Sequence, residues 1–350
     1  MLIRFKRQVL FTIILSLFTF GYSIDLLSNI QNMGEKNARG YALPFVSSFG
    51  TALNSGTYYS ASTHKFLGFD ITANLAYVPI PDGDMTFQFF IPTLEPIAFY
   101  NPFDGYNYNL QLNSDELYPS DRTASTIFGT NEEKTFSPNQ DYVIEALEDQ
   151  FLLSYAEAQI LSENIMGEIP TFEMVGGFDF STMGAVMPQI SVGLPLDIDV
   201  MARMMPKTNI DKVGEVSMIG FGGKIGLNQF IPFNIGLLPR ISFGYYMTNM
   251  DFGDVISMKN TMTNLQINKK LLFLTVYGGY GIESSSVDVE YTWDGGDLLG
   301  TVPIKFSMDG KNESRITAGV RMKLLFFSLQ GEYNMGDYDA YNLGVSFTFR

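Results

Sequence analysis

The sequence predicts an all-β protein: an antiparallel transmembrane β-barrel of about 10–14 strands, with an N-terminal plug-like segment and a long, partly helical outer insertion. Three observations support this fold class. Segments with strict alternation of apolar and polar residues recur along the chain, the N-terminus carries an export signal, and the composition favours strands. The chain contains 30 Phe, 19 Tyr and 33 Gly but one Trp, which suits strands and tight turns better than helices.

The clearest alternation lies in the last ten residues. From Tyr341 to Phe349 every odd-numbered position is apolar, and the even-numbered positions between them are Asn, Gly, Ser and Thr. Because successive side chains of a strand point to opposite faces, this strand has one apolar and one polar face. A transmembrane barrel needs that pattern, with lipid on one face and a polar lumen on the other. A soluble β-sandwich shows the same alternation, so this stretch alone leaves both architectures open.

The same stretch resembles the C-terminal recognition signal of bacterial outer-membrane β-barrel proteins. That signal reads polar, any residue, Gly, two of any kind, aromatic, any residue, aromatic, and its places are filled here by Asn342, Gly344, Phe347 and Phe349. Arg350 departs from it, because the family pattern usually ends at the aromatic residue. The resemblance implies that these four residues form an assembly signal, and that the barrel-assembly machinery and outer-membrane lipid are partners.

The N-terminus predicts export. Three basic residues within the first seven positions precede the uncharged run Val9 to Phe20, and the triplet Gly21-Tyr22-Ser23, with a small residue at each end, follows. This is the organisation of a secretory signal peptide, which we place at residues 1–23. The apolar run is about twelve residues long, too short for the roughly twenty that a membrane-spanning helix requires. Together with the closing strand, it predicts a location in the cell outer membrane of a Gram-negative-type bacterium.

The composition excludes several kinds of site. The chain has no cysteine, so disulfides, thiolate metal sites and cysteine nucleophiles are excluded. Its formal charge of −15 disfavours nucleic acid, since phosphate backbones need cationic partners. No metal site or cofactor is predicted, and no catalytic residue is assigned.

The domain organisation follows from changes in pattern. Residues 24–65 carry apolar residues at helical spacing followed by small residues, which predicts an N-terminal helix and a plug-like segment in the lumen or the periplasm. Residues 66–350 are predicted to form the barrel, beginning with the strand Gly68 to Val78.

A long acidic insertion interrupts the barrel at about residues 92–171. Positions 101–170 contain thirteen Asp or Glu against Arg122 and Lys134, and Asp141 to Ile165 is predicted to be a helix capped by Asp141. A segment this acidic is expected outside the bilayer, either as an outer loop or as a soluble subdomain. The barrel has ten strands if Met85 to Ile91 and Phe172 to Phe180 belong to the insertion, and up to fourteen if further pairs are accepted.

Charged residues of the strands are predicted to share one face, which is the lumen in a barrel. They are Asp70, Asp197, Asp199, Arg203, Arg240, Arg321, Lys323 and Glu332. The segment Asn268 to Lys270 is predicted to be a hairpin turn.

Two groups of residues are candidates for function. His64 is the only histidine, and without a matching third group it is interpreted as a polar loop residue, so an enzyme is not expected. A tentative ligand path combines the apolar helix face of Val143, Leu147 and Phe151 with Met187, Met201 and Met205. Methionine suits an adaptable apolar surface, although these methionines also fit a role in packing the N-terminal segment.

The whole-chain plan is similar to that of FadL-type transporters of hydrophobic compounds. The shared features are a signal peptide, a plug-like N-terminal segment, a large outer insertion and many strands; no substrate-site motif of that family aligns here. The resemblance implies a porin-like passive channel or transporter for a small hydrophobic molecule. The alternative is a non-transporting surface or structural barrel that binds a partner through its acidic insertion.

Overall fold

The structure is a computed structural model that describes residues 35–210, 214–231, 238–253, 256–294 and 301–349. The predicted signal peptide and Arg350 lie outside the described residues. In chain order, the helices and strands are α1 Glu35–Asn54, β1 Phe69–Pro79, β2 Thr86–Gln88, β3 Ile97–Asn101, β4 Tyr106–Leu110, α2 Ser114–Leu117, β5 Thr123–Ser125, β6 Lys134–Phe136, α3 Gln140–Phe151, α4 Tyr155–Ile165, β7 Phe172–Met174, β8 Thr182–Leu194, β9 Ile198–Ile210, β10 Gly214–Gly226, β11 Arg240–Phe252, β12 Ile256–Leu271, β13 Leu274–Asp294, β14 Thr301–Asp309, β15 Ser314–Leu324, β16 Phe327–Met335 and β17 Ala340–Phe349. Short 3-10 helices span Asp82–Asp84 and Leu227–Phe230. None of the helices in these ranges is long and apolar enough to cross a membrane.

Ten strands form a closed antiparallel barrel. The order around the ring is β1, β8, β9, β10, β11, β12, β13, β15, β16 and β17, and β17 pairs with β1 to close it. In that last pair Phe69 lies opposite Phe349 and Tyr77 lies opposite Tyr341. Strand β14 is an additional strand that pairs with the second half of β13. The predicted all-β barrel is confirmed, and among the predicted strand numbers ten is correct.

The two ends of the barrel differ in their connections. We call the end that holds Phe69 and Phe349 the closing end, and the opposite end, where residues 80–181 connect β1 to β8, the outer end. Two closing-end turns consist of only two residues, Leu272-Phe273 and Leu325-Phe326. The predicted turn at Asn268 to Lys270 is therefore wrong, because β12 continues through Leu271. Leu272 adopts a left-handed conformation (φ 56°) in place of the Asn or Gly that turn rules expect.

The barrel is polar inside and apolar outside. Along β17, Asn342, Ser346 and Thr348 are buried, whereas Leu343 and Val345 are 61% and 56% exposed. A soluble sandwich buries the apolar face of each strand, and here that face is the exposed one. This distribution excludes the sandwich and is the one that transmembrane barrels require. We call the outward apolar zone of the ten strands the belt.

The polarity of the two faces inverts near the outer end of strands β10 to β14. On β13, the outward face changes from Tyr280 and Ile282 to Ser284, Asp288 and other polar residues. The inward face changes in the opposite sense, from polar residues to apolar ones. The inward residues beyond this change are Val216, Met218, Met250, Phe252, Ile256, Met258, Val287, Val289, Phe306 and Met308. We call residues 215–218, 249–252, 256–260, 284–290 and 305–309 the extension, and its ten inward apolar residues the inner wall.

Charged residues line the outside of the extension. Lys259 pairs with Asp288 at 2.8 Å, and Lys305 pairs with Glu290 at 2.7 Å. The expectation that charges occupy only the lumenal face is therefore wrong for these strands. They continue beyond the belt, and the charged outward residues there suit contact with water rather than with lipid.

The chain divides into two compact units. Among the described residues, the first comprises those of 42–83 and 180–349 and contains the barrel; the second comprises residues 35–41 and 84–179. Within the second unit, three two-stranded ribbons accompany the short α2 and the helices α3 and α4.

The predicted helix over Asp141 to Ile165 is two helices, α3 and α4. The break falls at Leu152, which has a φ of 56°. The cap of α3 is Asn139 rather than Asp141, since the Asn139 side chain accepts a hydrogen bond from the Asp141 N–H. Ser154 and Glu157 form a capping box that starts α4.

Candidate functional site: the filled lumen and a charged cavity

The lumen of the barrel contains part of its own chain. We call residues 42–64 the lumenal segment; it comprises the second part of α1 and the extended stretch that follows. Small residues such as Ser48, Thr51 and Ala52 are fully buried, because they allow the helix to pack closely against the inner face of the strands. A side chain at Gly50 would collide with Ser285 of β13. The segment predicted to be plug-like therefore does fill the lumen.

Arg203 of β9 holds the end of α1. This fully buried side chain donates hydrogen bonds to the carbonyl oxygens of Leu53, at 2.6 Å, and Ser55, at 2.8 Å. A third bond from Nε to Gln189 Oε1, at 2.9 Å, orients the guanidinium. The last carbonyls of a helix have no partner within the helix and carry partial negative charge. Arg203 supplies hydrogen-bond donors at this helix end, and its positive charge offsets the partial negative charge there.

A buried ion pair holds the same helix from the other side of the barrel. Arg315 of β15 and Glu283 of β13 form a bidentate pair that is almost completely inaccessible to solvent. Arg315 Nη2 also donates to the carbonyl oxygen of Thr51, at 3.1 Å. The pair thus connects two strands of the wall with the lumenal segment.

Glu332 of β16 fixes the turn after α1. Its Oε1 accepts a hydrogen bond from the Gly56 N–H at 2.7 Å, and its Oε2 accepts one from the Tyr277 hydroxyl at 3.1 Å. Gly56 has a φ of +60°, and a Cβ there would also meet the side chain of Asn342. Glycine is required at this position for both reasons.

A cavity of about 210 Å³ lies in the lumen toward the closing end. We call it the charged cavity, because its lining includes His64, two aspartates, three lysines and an arginine. His64 closes one side and is bonded to both aspartates. Its backbone N–H and Nδ1 lie 2.8 and 3.1 Å from the carboxylate of Asp199, and its Nε2 lies 3.2 Å from Asp70 Oδ2.

This arrangement favours the imidazolium form of His64. Burial lowers the pKa of the ring, but the hydrogen bonds and charges of Asp199 and Asp70 outweigh that effect, so the pKa is raised above its ordinary value of 6.5. An imidazolium donates from both nitrogens, as the two carboxylate contacts require. His64 therefore fastens the end of the lumenal segment to β1 and β9.

Two further cations complete the network. Lys224 Nζ donates to the carbonyl oxygens of Ser60, at 2.5 Å, and Ser62, at 3.0 Å, and lies 3.5 Å from Asp199 Oδ2. Arg321 Nη2 lies 3.5 Å from Asp70 Oδ2. Each aspartate thus meets His64 and one further cation.

The sequence pattern missed this site because His64 has no neighbours in sequence that reveal its partners. Asp70 and Asp199 were both predicted to face the lumen, and the pairing of β1 with β8 and of β8 with β9 brings them together. The positions were thus predictable, but their convergence on His64 required the register. Within the described ranges, no group of three or more His, Cys, Asp or Glu is arranged to hold a metal ion.

The residues of the tentative ligand path fall in two places. Val143 and Leu147 are fully buried within the second unit, where Phe151 packs against Phe99 and Tyr108. The methionines belong to the first unit: Met187 and Met201 are buried on the lumenal face, and Met205 is half-buried opposite Met218. The two sets lie in different compact units, and a continuous path through both stays a prediction.

The four assembly-signal residues take different positions on β17. Asn342 is buried in the lumen and donates to Ser55 Oγ at 3.3 Å. A side chain at Gly344 would collide with Gln330 and Asn74, which explains the glycine. Phe347 and Phe349 point outward, where both contact Phe69. Their role in assembly stays a prediction.

Solved structures similar to this chain include outer-membrane barrels. Ail of Yersinia pestis has 10% sequence identity and a TM-score of 0.23, covering 81% of this chain and 100% of Ail. A loop-deletion mutant of OmpT, an outer membrane protein of Vibrio cholerae, has 11% identity and a TM-score of 0.24, covering 83% and 100%. The transport unit of the Escherichia coli autotransporter AIDA-I has 6% identity and a TM-score of 0.23, covering 88% and 99%. At such TM-scores the fold rests on the strand pairing of this chain itself.

Sequence comparison gives the family. No curated protein matches the chain. The model of DUF6588, a family of unknown function, matches residues 5–349, so it extends over the N-terminal region, the inserted unit and all ten barrel strands. The chain belongs to the DUF6588 family.

Proposed function

We propose that this protein is an outer-membrane β-barrel that takes up a small hydrophobic molecule passively, binding it first at the inner wall of the extension. The inner wall is the observation that carries this proposal. It is a continuous apolar surface on the lumenal side of strands whose remaining lumenal residues are mostly polar. A plain water-filled pore has no need of such a surface.

The location is supported by the belt. Outward residues such as Phe243, Tyr280 and Leu343 are exposed around the barrel, and such a zone is stable only when lipid covers it. The predicted signal peptide and the aromatic residues that end β17 agree with export and insertion into an outer membrane. The closing end then faces the periplasm and the outer end faces the exterior.

The chemistry of the inner wall suits a hydrophobic ligand. Four of its ten residues are methionines, and Met218, Met250 and Met258 lie side by side on β10, β11 and β12. Flexible thioether side chains adapt to ligands of different shape at low energetic cost. Two phenylalanines of the lumenal segment, Phe45 and Phe49, pack against Phe252 of the wall at ring distances of 6.2 and 5.8 Å. The wall therefore accepts aromatic groups in the folded protein.

The lumenal segment then acts as the gate. Its helix end is hydrogen-bonded to Arg203, Arg315 and Glu332, so the lumen is closed around residues 51–56. A ligand that replaced Phe45 and Phe49 on the inner wall would release one face of α1. Passage requires that release, which makes uptake slow and selective rather than porin-like and continuous.

The contacts of His64 support a role without catalysis. Both ring nitrogens face carboxylates, so neither is available to accept a proton from a serine hydroxyl, as nucleophilic catalysis requires. We therefore propose that His64 is a structural fastening of the lumenal segment.

The test is binding and uptake of N-phenyl-1-naphthylamine, a fluorescent apolar probe, by the purified protein in proteoliposomes. Replacing Met250 and Met258 together by Gln is expected to weaken probe binding by about tenfold, because two polar amides would face the ligand. Met204→Gln is the matched control, since Met204 is exposed on the outward face of β9. Unchanged binding by the double variant would contradict the assignment of the inner wall, and absence of uptake by the wild type would contradict transport.

A second candidate is a surface barrel that binds a partner without transport. Several large side chains of the inserted unit are exposed, namely Tyr100, Tyr106, Leu152, Tyr155 and Ile160, and Leu152 is 92% exposed. Exposed aromatic and aliphatic groups amid acidic residues are a feature of protein-binding surfaces. This candidate predicts normal surface display but neither binding nor uptake of the apolar probe.

A further inference from the structure

Two lysines of the charged cavity have no ionic partner among the residues that the structure describes. Lys270 at the end of β12 and Lys323 at the end of β15 both line the cavity. Within the described part of the chain, neither ammonium group forms a hydrogen bond or an ion pair. The other cations of the cavity, Lys224 and Arg321, are held by carbonyl, hydroxyl or carboxylate oxygens. The two unpaired ammonium groups are thus the exception at this site.

The strand register places these cations together. Lys270 lies opposite Thr275 on β13, and Thr275 lies opposite Arg321 on β15, so the three form one row across adjacent strands. Lys323 follows two residues after Arg321 and therefore shares its lumenal face. The hydroxyl-bearing residues Thr275 and Thr348 line the same cavity. Positive charges and hydroxyl donors thus converge on one concave space.

The charges of the cavity do not balance. The lining contains Lys224, Lys270, Arg321 and Lys323 but only Asp70 and Asp199, an excess of two positive charges even when His64 is counted as neutral. The chain as a whole has a formal charge of −15, so this excess is opposite in sign to the rest of the molecule. A concave site with unpaired cations concentrates small anions.

The excess matches a phosphate group. A phosphate monoester carries about −1.5 to −2 charge near neutral pH and offers three strong acceptor oxygens. Lys270, Lys323 and the nearby threonine hydroxyls supply donors for those oxygens. Asp70 also lines the cavity, and its buried Oδ1 has no hydrogen-bond partner in the described part of the chain.

We propose that the charged cavity binds a phosphate group at the closing end of the barrel, carried either by free phosphate or by a phospholipid headgroup. The site is formed by residues of the barrel and of the lumenal segment and does not rest on uptake through the extension. A bound phosphate would contact the strand ends and the loop that His64 fastens, so it would stabilise the closed lumen.

The test uses full-length mature protein in dodecyl maltoside, a detergent without phosphate. Inorganic phosphate is titrated by calorimetry in one arm. In the other, phosphatidic acid, whose headgroup is a phosphate monoester, is added to the micelles and followed by native mass spectrometry. Saturable binding in the first arm alone identifies free phosphate as the ligand, and in the second alone a lipid headgroup. Absence of saturable binding in both arms would overturn the proposal.

The variant Lys270→Gln/Lys323→Gln is expected to lose about tenfold or more in affinity, because each charge-assisted hydrogen bond contributes roughly 1.5–3 kcal/mol. Lys269→Gln is the matched control, since it removes the same charge from the adjacent residue on the opposite face of β12. Heat-modifiable migration on a gel establishes that each variant is folded. Equal losses in the folded double variant and the control, or an unchanged affinity in the double variant, would overturn the assignment of these residues.

Discussion

The belt and the extension are built from the same strands and the same alternation, but the polarity of their outward and lumenal faces is reversed. In the belt, Ile282 faces outward and Glu283 faces the lumen; a few residues further along β13, Asp288 faces outward and Val287 faces inward. The backbone continues unchanged across this boundary. What differs is the chemistry of the outward face, which is apolar in one region, as contact with lipid requires, and polar or charged in the other, as contact with water favours.

This difference shows that alternation of apolar and polar residues identifies a strand but does not show which of its faces points into the barrel. The parity of the lumenal residues is constant along β13, and only their chemistry changes. Where a strand remains in the belt throughout, as β17 does, the polar residues mark the lumen. Where a strand passes beyond it, the polar residues mark the outward face, and the lumenal face carries the apolar residues at which we propose that a ligand binds.

The largest expected effect concerns β17, which belongs to the belt over its whole length. Removing Phe347 to Arg350 is expected to abolish membrane assembly, because the signal aromatics and the last pairs with β1 are lost together. Removing Arg350 alone is the control and should leave assembly intact. The measurement is heat-modifiable migration of protein from isolated outer membranes, and normal migration of the longer truncation would contradict the assembly role.

The next effect compares an ion pair in the lumen with one on the extension. Arg315→Ala leaves Glu283 buried without its partner, and is expected to cost about 3–5 kcal/mol of stability. Lys305→Ala removes the exposed pair with Glu290 on the outside of the extension and should cost at most about 1 kcal/mol. Urea unfolding in lipid vesicles measures both. Equal costs would show that the lumen at Arg315 is wetter than the structure indicates.

A third comparison places one positive charge on each region. Val345→Lys puts an ammonium group in the middle of the outward face of β17 and should destabilise the barrel by about 2–4 kcal/mol. Ser286→Lys puts the same group on the outward face of the extension, where an effect within about 0.5 kcal/mol is expected. The same unfolding experiment applies, and a destabilising Ser286→Lys would place the bilayer higher on β13 than we infer.

The smallest expected effect is the pH dependence of the His64 fastening. The pKa of His64 is raised in the folded protein, so its contribution is complete below 6.5 and is lost as the pH rises through the folded value. The groups that face the ring are Asp70 and Asp199, with Lys224 and Arg321 behind them.

His64→Gln should remove most of this dependence while costing about 1–3 kcal/mol at acidic pH, the loss expected for hydrogen bonds to charged groups. Thermal unfolding between about pH 5 and about pH 9 tests it for wild type and variant. If the two curves run parallel, another group is responsible for the pH dependence.

Much of the fold was predictable from local pattern. The alternation on β1 and β17 and the long acidic insertion predicted a closed barrel, because the solvent around each segment determines its residue pattern. The small residues of the N-terminal segment predicted a plug-like segment, but left its place open between the lumen and the periplasm. The ten-strand count followed once the pairs near Phe87 and Phe172 were assigned to the insertion. Turn positions were less predictable, since Leu272 and Leu325 adopt left-handed conformations that turn propensities do not favour.

The functional features depend on register and were harder to predict. The role of His64 depends on its contacts with Asp70 and Asp199, which lie far apart in sequence and meet only across paired strands. The inner wall can be recognised in the sequence, because Val216 and Met218 are even-numbered residues of β10, like Lys224, which faces the lumen. When the alternation is followed along a whole strand, the order of the residues alone shows where the apolar residues change from the outward face to the lumenal face.

The most direct measurement follows the outward face of β13 with single nitroxide labels. The chain contains no cysteine, so cysteines introduced one at a time at Val276, Tyr280, Ile282, Ser284, Ser286, Asp288 and Glu290 can each be labelled specifically. In lipid vesicles, labels up to Ile282 should collide with dissolved oxygen, and labels from Ser286 onward should collide with a water-soluble nickel complex. Oxygen accessibility that continued through Glu290 would place the extension inside the bilayer, and the inner wall would then not be the outer binding surface that we propose.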